Sequence, residues 1–249
     1  MRLSASPYAG GGTHVPYDER QLFMASNPNE VGNAITTIPA RVGSTAGGAL
    51  LRLVDAAIDG VSTLPGAKAS AAKALQRKRD AEQAIDALVV SHVAMAGAQG
   101  FVTNVGGLLV TVLTTPANIT GVVVVQARLV ACIAHLRGYD IDDHRVRTAM
   151  LMCLLPEDEL KRQIEKGHLP TSPLAVATAP MIDEDLEVKV AERVVGDVLT
   201  NVGGKRLTSL VARKIPLVGG GVGALYDGYG THQVGQCAKS QLVRRRPTA

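Results

Sequence analysis

ALVVSHVAMAGAQGFVTNVGGLLVTVLTTPANITGVVVVQA, residues 87–127, is a run of 41 positions without an Asp, Glu, Lys or Arg, and His92 is its only titratable side chain. Such a run is long enough to contain a membrane span of about 20 residues. Yet Gln99, Thr103, Asn104, Thr114, Thr115, Pro116, Asn118 and Thr120 interrupt it, Gly106-Gly107 breaks it, and no Trp or Tyr belt flanks it. The pattern predicts a buried helix, a break and a second buried helix, with a transmembrane span as the competing reading.

Working outward, the helix expected over 117–136 carries Val122 to Val125, Leu129, Val130, Ile133 and Leu136, apolar nearly all round. A helix of that kind is surrounded by other helices or by lipid. Arg137-Gly138 supplies its end, a cation in the last turn followed by a residue free to turn left-handed. Asp142-Asp143 caps the next helix, and Pro156 closes it. Upstream, apolar residues at helical spacing predict a helix from Ala40 to Val61 and one continuous helix from about Ala67 to Phe101. Downstream follow a short charged helix over 157–166, a Pro-rich loop to Pro180 and a helix over about 183–200. The last apolar segment runs from Ile215 to Ala238 with Asp227 as its one charge. Alternating strand patterns are missing. The expected fold is all-α: a single helical domain over 41–242 with two long uncharged, Gly-rich buried segments, a flexible N-terminal arm over 1–40 and a basic tail over 243–249.

Composition narrows the partners. Of 249 residues 46% are hydrophobic but only 3% aromatic, with no Trp, two Phe and 26 Gly, and the mean hydropathy is +0.15. That excludes global disorder and argues against a base-stacking nucleic-acid binder. The core has to be Val, Leu and Ala packed closely through Gly. The net charge of +4 is unevenly placed, with Arg77-Lys78-Arg79 and Arg244-Arg245-Arg246 set against Glu157-Asp158-Glu159 and Asp183-Glu184-Asp185. Basic clusters beside apolar segments suit an anionic membrane surface; solvated helix ends explain them equally well. Cys132, Cys153 and Cys237, odd in number and without metal-ligand spacing, read as small buried hydrophobes in a reducing compartment. Residues 1–12 hold no apolar signal core, so a cytoplasmic protein is expected, peripheral to the inner face of the cell membrane.

Motifs of chemistry are sparse. Gly219-Gly220-Gly221-Val222-Gly223-Ala224 lacks the Lys-Ser/Thr of a Walker loop and the preceding strand of a dinucleotide site. Gly219 and Gly223, and Gly220, Ala224 and Gly228, recur every four residues, a spacing that lets two helix backbones approach. With Gly106 and Gly107 these are the expected helix-packing glycines. Thr103-Asn104-Val105-Gly106-Gly107 returns as Thr200-Asn201-Val202-Gly203-Gly204, through either an old duplication or shared helix-ending chemistry. No nucleophile elbow is present. Ser91-His92 are mere sequence neighbours, and helix capping accounts for the Asp residues among His135, Asp140, Asp142, Asp143 and His144. No catalytic residue, metal or cofactor is therefore expected. Arg128 and Asp227 each stand in the middle of an apolar helix, where an isolated charge costs several kcal/mol. They read as a buried pair or as lining a polar cavity, against a snorkelling Arg128.

The ordered blocks Gly100-Phe101-Val102-Thr103-Asn104-Val105-Gly106-Gly107-Leu108, then Pro116, Gln126-Ala127-Arg128-Leu129-Val130-Ala131-Cys132-Ile133-Ala134, Gly138-Tyr139-Asp140, and the later Ile215-Pro216-Leu217-Val218-Gly219-Gly220-Gly221-Val222-Gly223-Ala224 with Asp227, resemble the EcsC family of bacteria over residues 50–240. Asn104 stands where that family typically has glycine. The resemblance implies an α-helical cytoplasmic protein with no established catalytic residues, loosely linked to membrane association and to hydrolase-like activity. The functional expectation is a membrane-associated protein or a binder of lipid or another hydrophobic ligand, with Val110, Leu113, Val122, Val125, Leu129 and Leu217 lining the apolar surface. A regulatory subunit of a transporter or envelope complex, docked on a protein partner at the membrane, is the alternative. A lipid- or peptide-directed hydrolase is the third.

Overall fold

The computed structural model describes residues 46–61, 64–105, 116–183, 185–196 and 216–245, the side chains at 46, 61, 99–105, 116–120 and 216–224 excepted. The chain order is α1 (Ala46–Asp59), β1 (Gly60–Val61), β2 (Leu64–Pro65), α2 (Ala67–Lys78), α3 (Ala81–Val105), α4 (Pro116–Leu136), α5 (His144–Met152), α6 (Glu157–Glu165), α7 (Pro173–Thr178), α8 (186–196) and α9 (Pro216–Gln241). The two strands pair antiparallel over two residues only, Gly60 with Pro65 and Val61 with Leu64. The fold is all-α. Among the described residues no helix is long and apolar enough to cross a membrane. The N-terminal arm, Gly106, Gly107, Val110, Leu113, the second Thr-Asn-Val-Gly-Gly copy and residues 246–249 lie outside the described residues.

Both long apolar helices α4 and α9 open on a proline, whose missing N–H costs nothing in the first turn and whose fixed φ suits it. The end of α4 is a Schellman motif. Gly138 is left-handed (φ +83°), its N–H donates to His135 O (3.1 Å), and Tyr139 N–H donates to Ala134 O (3.0 Å). Asp143 caps α5 by accepting from Arg145 N at 2.9 Å. The single helix expected from Ala67 to Phe101 is instead two. Arg79 turns left-handed (φ +58°) and closes α2 through its N–H to Leu75 O (2.7 Å), while Asp80 Oδ1 accepts from Gln83 N (2.9 Å) to start α3. The Asp-x-x-Gln spacing of a capping box, at the end of the polar run Gln76 to Asp80, was the local signal.

α4 is the central element, in contact with α1, α2, α3, α5 and α9. From Val123 to Ala134 every residue but Gln126 is buried. Around it lie Ile85, Ile141, Met150, Leu151, Met152 and Leu155, with Tyr139 as the one aromatic core side chain among the described residues. An aromatic-poor core fills its space with small side chains in close contact, and α9 shows how. Gly235 faces Val89 of α3 and Leu129 of α4, where an added Cβ would meet a methyl of each at 3.2 Å. Of the glycines expected to pack helices, Gly228 faces Val93 and Gly97 of α3, leaving 3.6–4.0 Å for a Cβ. Gly219, Gly220 and Gly223 fall within α9, in the part whose packing is outside the description.

Arg137 joins three helix ends. Its guanidinium is bidentate to Glu82 at the start of α3 (Nε–Oε1 3.1 Å, Nη2–Oε2 2.8 Å), and Nη1 donates to the carbonyls of Lys239 (2.5 Å) and Leu242 (2.9 Å) at the end of α9. Tyr139 Oη donates to Val243 O (2.8 Å), and Arg137 O accepts from Arg245 N (3.0 Å). Arg147 similarly ties α5 to Asp55 of α1 (2.6 Å) and Glu187 of α8 (2.9 Å).

Gly235→Leu should lower stability by about 1–3 kcal/mol through overpacking. Gly228→Ala should be neutral, or stabilising by up to about 1 kcal/mol through helix propensity. Urea melts of the two variants check the contrast. Arg137→Met, which strands a carboxylate and two helix-end carbonyls, should cost about 2–3 kcal/mol. Lys161→Met, which removes only the exposed pair with Glu157, should leave the urea midpoint where it was.

Candidate hydrophobic-ligand groove and the buried cation beneath it

α3 and α9 run antiparallel. Asp86 pairs with Lys239 (2.6 Å) at one end, Val89 meets Gly235, and Val93 and Gly97 meet Gly228. On their outer side lies an open groove of about 510 Å³ lined by Asp86, Val89, Val90, Val93, Ala94, His232 and Gln236. Val90 is 71% exposed. On α9, Leu225, Tyr229, His232 and Gln236 recur at i, i+4, i+7 and i+11, one helix face, and Leu225 and Tyr229 are 75% and 65% exposed. Single exposed apolar residues are ordinary; a row of them beside an apolar groove makes this face the candidate binding surface.

Charge gathers at one end of this groove. Arg137 binds both Glu82 and the last carbonyls of α9, so the start of α3 and the end of α9 lie together. Arg77, Lys78 and Arg79, just before α3, and Arg244 and Arg245, just after α9, are all exposed there. Arg245 also lies over the Tyr139 ring, 5.6 Å from its centroid.

The inner face of α3 is different. His92, buried in the contact with α4, has Nδ1 2.8 Å from Leu88 O; a carbonyl only accepts, so Nδ1 carries the proton and Nε2 is left as an acceptor. Arg128 of α4, also buried, donates through Nη2 to Ser70 Oγ (2.6 Å), which passes its own proton to Gly66 O (2.8 Å). Cys132 Sγ donates to Ala67 O at 3.4 Å, and burial pushes this thiol up to about 12. Burial, and then the charge of Arg128, push His92 down to about 4. Burial likewise lowers Arg128, and no carboxylate of the described residues acts against it.

The structure redistributes the expected site residues. Val125 and Leu129 are core side chains, because α4 is covered on every side, and Val122 is half-buried at its edge. They do not line an apolar surface; the open face belongs to α3 and α9. Leu217 falls within α9 where side chains are not described. Arg128 and Asp227 are both buried, as expected, but no ion pair joins them among the described residues: Arg128 turns to Ser70, and Asp227 is engaged elsewhere. Ser91 Oγ donates to Leu88 O (3.0 Å), the carbonyl that also holds His92, and lies 3.4 Å from His92 Nδ1; that nitrogen carries the ring proton and has no lone pair for the serine, so the contact is not a nucleophile–base pair. Asp140 accepts from Asp142 N, Asp142 pairs with Lys68 (2.5 Å) and Asp143 caps α5, a set of helix-boundary roles. The three cysteines are buried thiols. Val90, Leu225 and Tyr229 escape a sequence reading because apolar residues in a uniformly apolar helix carry no sign of which face is left uncovered.

No family model, curated protein or solved structure matches the chain.

His92 gives a pH test. Above about pH 6.5 it is neutral whether the chain is folded or not; below, the unfolded chain takes up a proton that the folded one refuses until about pH 4. The gap amounts to about 3 kcal/mol of stability lost on going from pH 6.5 to below 4. Wild-type urea stability should therefore fall over that window relative to His92→Leu, with parallel curves above pH 7.

Proposed function

We propose that the protein is a peripheral binder of anionic lipid, the α3–α9 groove receiving an acyl chain and the cations at its end meeting the headgroup. The observation that carries this reading is the open apolar groove, with Val90, Leu225 and Tyr229 exposed along it and Arg77, Lys78, Arg79, Arg244 and Arg245 at its end. Each cation near an anionic surface contributes about 1 kcal/mol, so the five together amount to about 5 kcal/mol, which alone gives a Kd of only about 0.2 mM. Apolar burial has to supply the rest, and exposed valine, leucine and tyrosine side chains are the groups that supply it. The absence of a membrane-crossing helix among the described residues fits attachment to the surface. The EcsC-like order of sequence blocks supports the same reading, through the membrane association linked to that family.

Flotation tests it. The full chain should rise with vesicles containing phosphatidylglycerol and stay behind with pure phosphatidylcholine, and 0.5 M salt should weaken the attachment by screening. Val90→Asp combined with Tyr229→Asp should weaken binding at least about tenfold with the melting temperature unchanged, since both side chains are exposed. A wild-type chain that ignores anionic vesicles and carries no lipid in native mass spectrometry sinks the reading.

A further inference from the structure

We infer that His92 and Arg128 together hold one internal water molecule between α3 and α4. α4 descends as α3 ascends. Glu82 is level with Arg137, and Val89 and Leu129 meet the same point of Gly235. His92, ten residues after Glu82, is therefore level with Arg128, nine residues before Arg137. Both side chains are more than nine-tenths buried. Arg128 Nε and His92 Nε2 are fully enclosed, and neither has a hydrogen-bonding partner among the described residues. The remaining polar groups nearby are committed: Ser70 Oγ to Arg128 Nη2 and Gly66 O, and Leu88 O to His92 Nδ1 and Ser91 Oγ.

The chemistry of the two enclosed atoms decides what fits. Arg128 Nε–H only donates. His92 Nε2, with the ring proton held on Nδ1, only accepts. A group placed between them must accept from one and donate to the other, as water does. A simple anion satisfies the arginine but sets its charge against the histidine lone pair. Leaving both atoms dry carries the full desolvation cost of each, whereas a bridging water returns two hydrogen bonds and is the usual companion of enclosed polar groups. The water is also a dipole aligned on a guanidinium that faces no carboxylate of the described residues.

NMR on the full-length 15N-labelled chain near pH 7 tests this without any substitution. A slowly exchanging Arg128 Nε–H should show a cross-peak to a long-lived water, and the nitrogen shifts of His92 should report the Nδ1–H tautomer with a hydrogen-bonded Nε2. Sodium chloride titrated to 0.5 M should leave both signals in place. His92→Leu, which removes the acceptor, should abolish or strongly weaken the cross-peak while the Arg128 Nε–H resonance persists. An Arg128 Nε–H in fast exchange with bulk solvent, a slow one without a water cross-peak, a protonated Nε2, or a saturable shift with chloride each overturns the inference. The last result would assign the place to an anion.

Discussion

The fold depends on one constraint: a helix that is apolar all round has to be covered all round. α4 meets it by packing against α1, α2, α3, α5 and α9, which makes it the axis of the molecule. With almost no aromatic side chains to bridge gaps, the covering helices have to come close. Gly235 lets α9 do so at the junction with Val89 and Leu129. The register of α9 against both α3 and α4 follows from that contact and from the Arg137 clamp at the end of α9; two anchored points suffice.

The two buried arginines of the described residues, Arg128 and Arg137, show how context sets the role of the same side chain. Arg137 is buried with a bidentate carboxylate and two carbonyls, so its charge is compensated and its donors organise three helix ends. Arg128 is buried against a hydroxyl, with a neutral histidine nearby and no carboxylate of the described residues acting on it. A compensated buried cation fastens helices; an uncompensated one creates a polar place inside an apolar contact. α3 thus carries two environments, a polar inner level around His92 and an apolar outer face around Val90 that stays open to solvent.

Much of the architecture was legible along the chain. Uncharged runs, proline starts, the Arg137-Gly138 end and the Asp143 cap are local signals, and each marks a helix boundary that the fold uses. The break at Arg79-Asp80 was legible too, from capping chemistry and from the five polar residues Gln76 to Asp80 that interrupt the apolar periodicity. The site was far less so. Val125, Leu129, Val90 and Leu225 are equally apolar, yet the first two are core and the last two are exposed.

By itself, then, the sequence determined that the chain is helical, where most helices start and stop, and that its core is built from small aliphatic side chains, because those properties depend on residues within a few positions of one another. Only the tertiary structure decided which apolar faces stay open, that Arg128 turns to Ser70 instead of Asp227, and that Gly235 is where α9 meets both α3 and α4. Those outcomes depend on which helix lies beside which, and partners 58 or more residues apart leave no periodic trace in a chain whose buried and exposed faces share one composition.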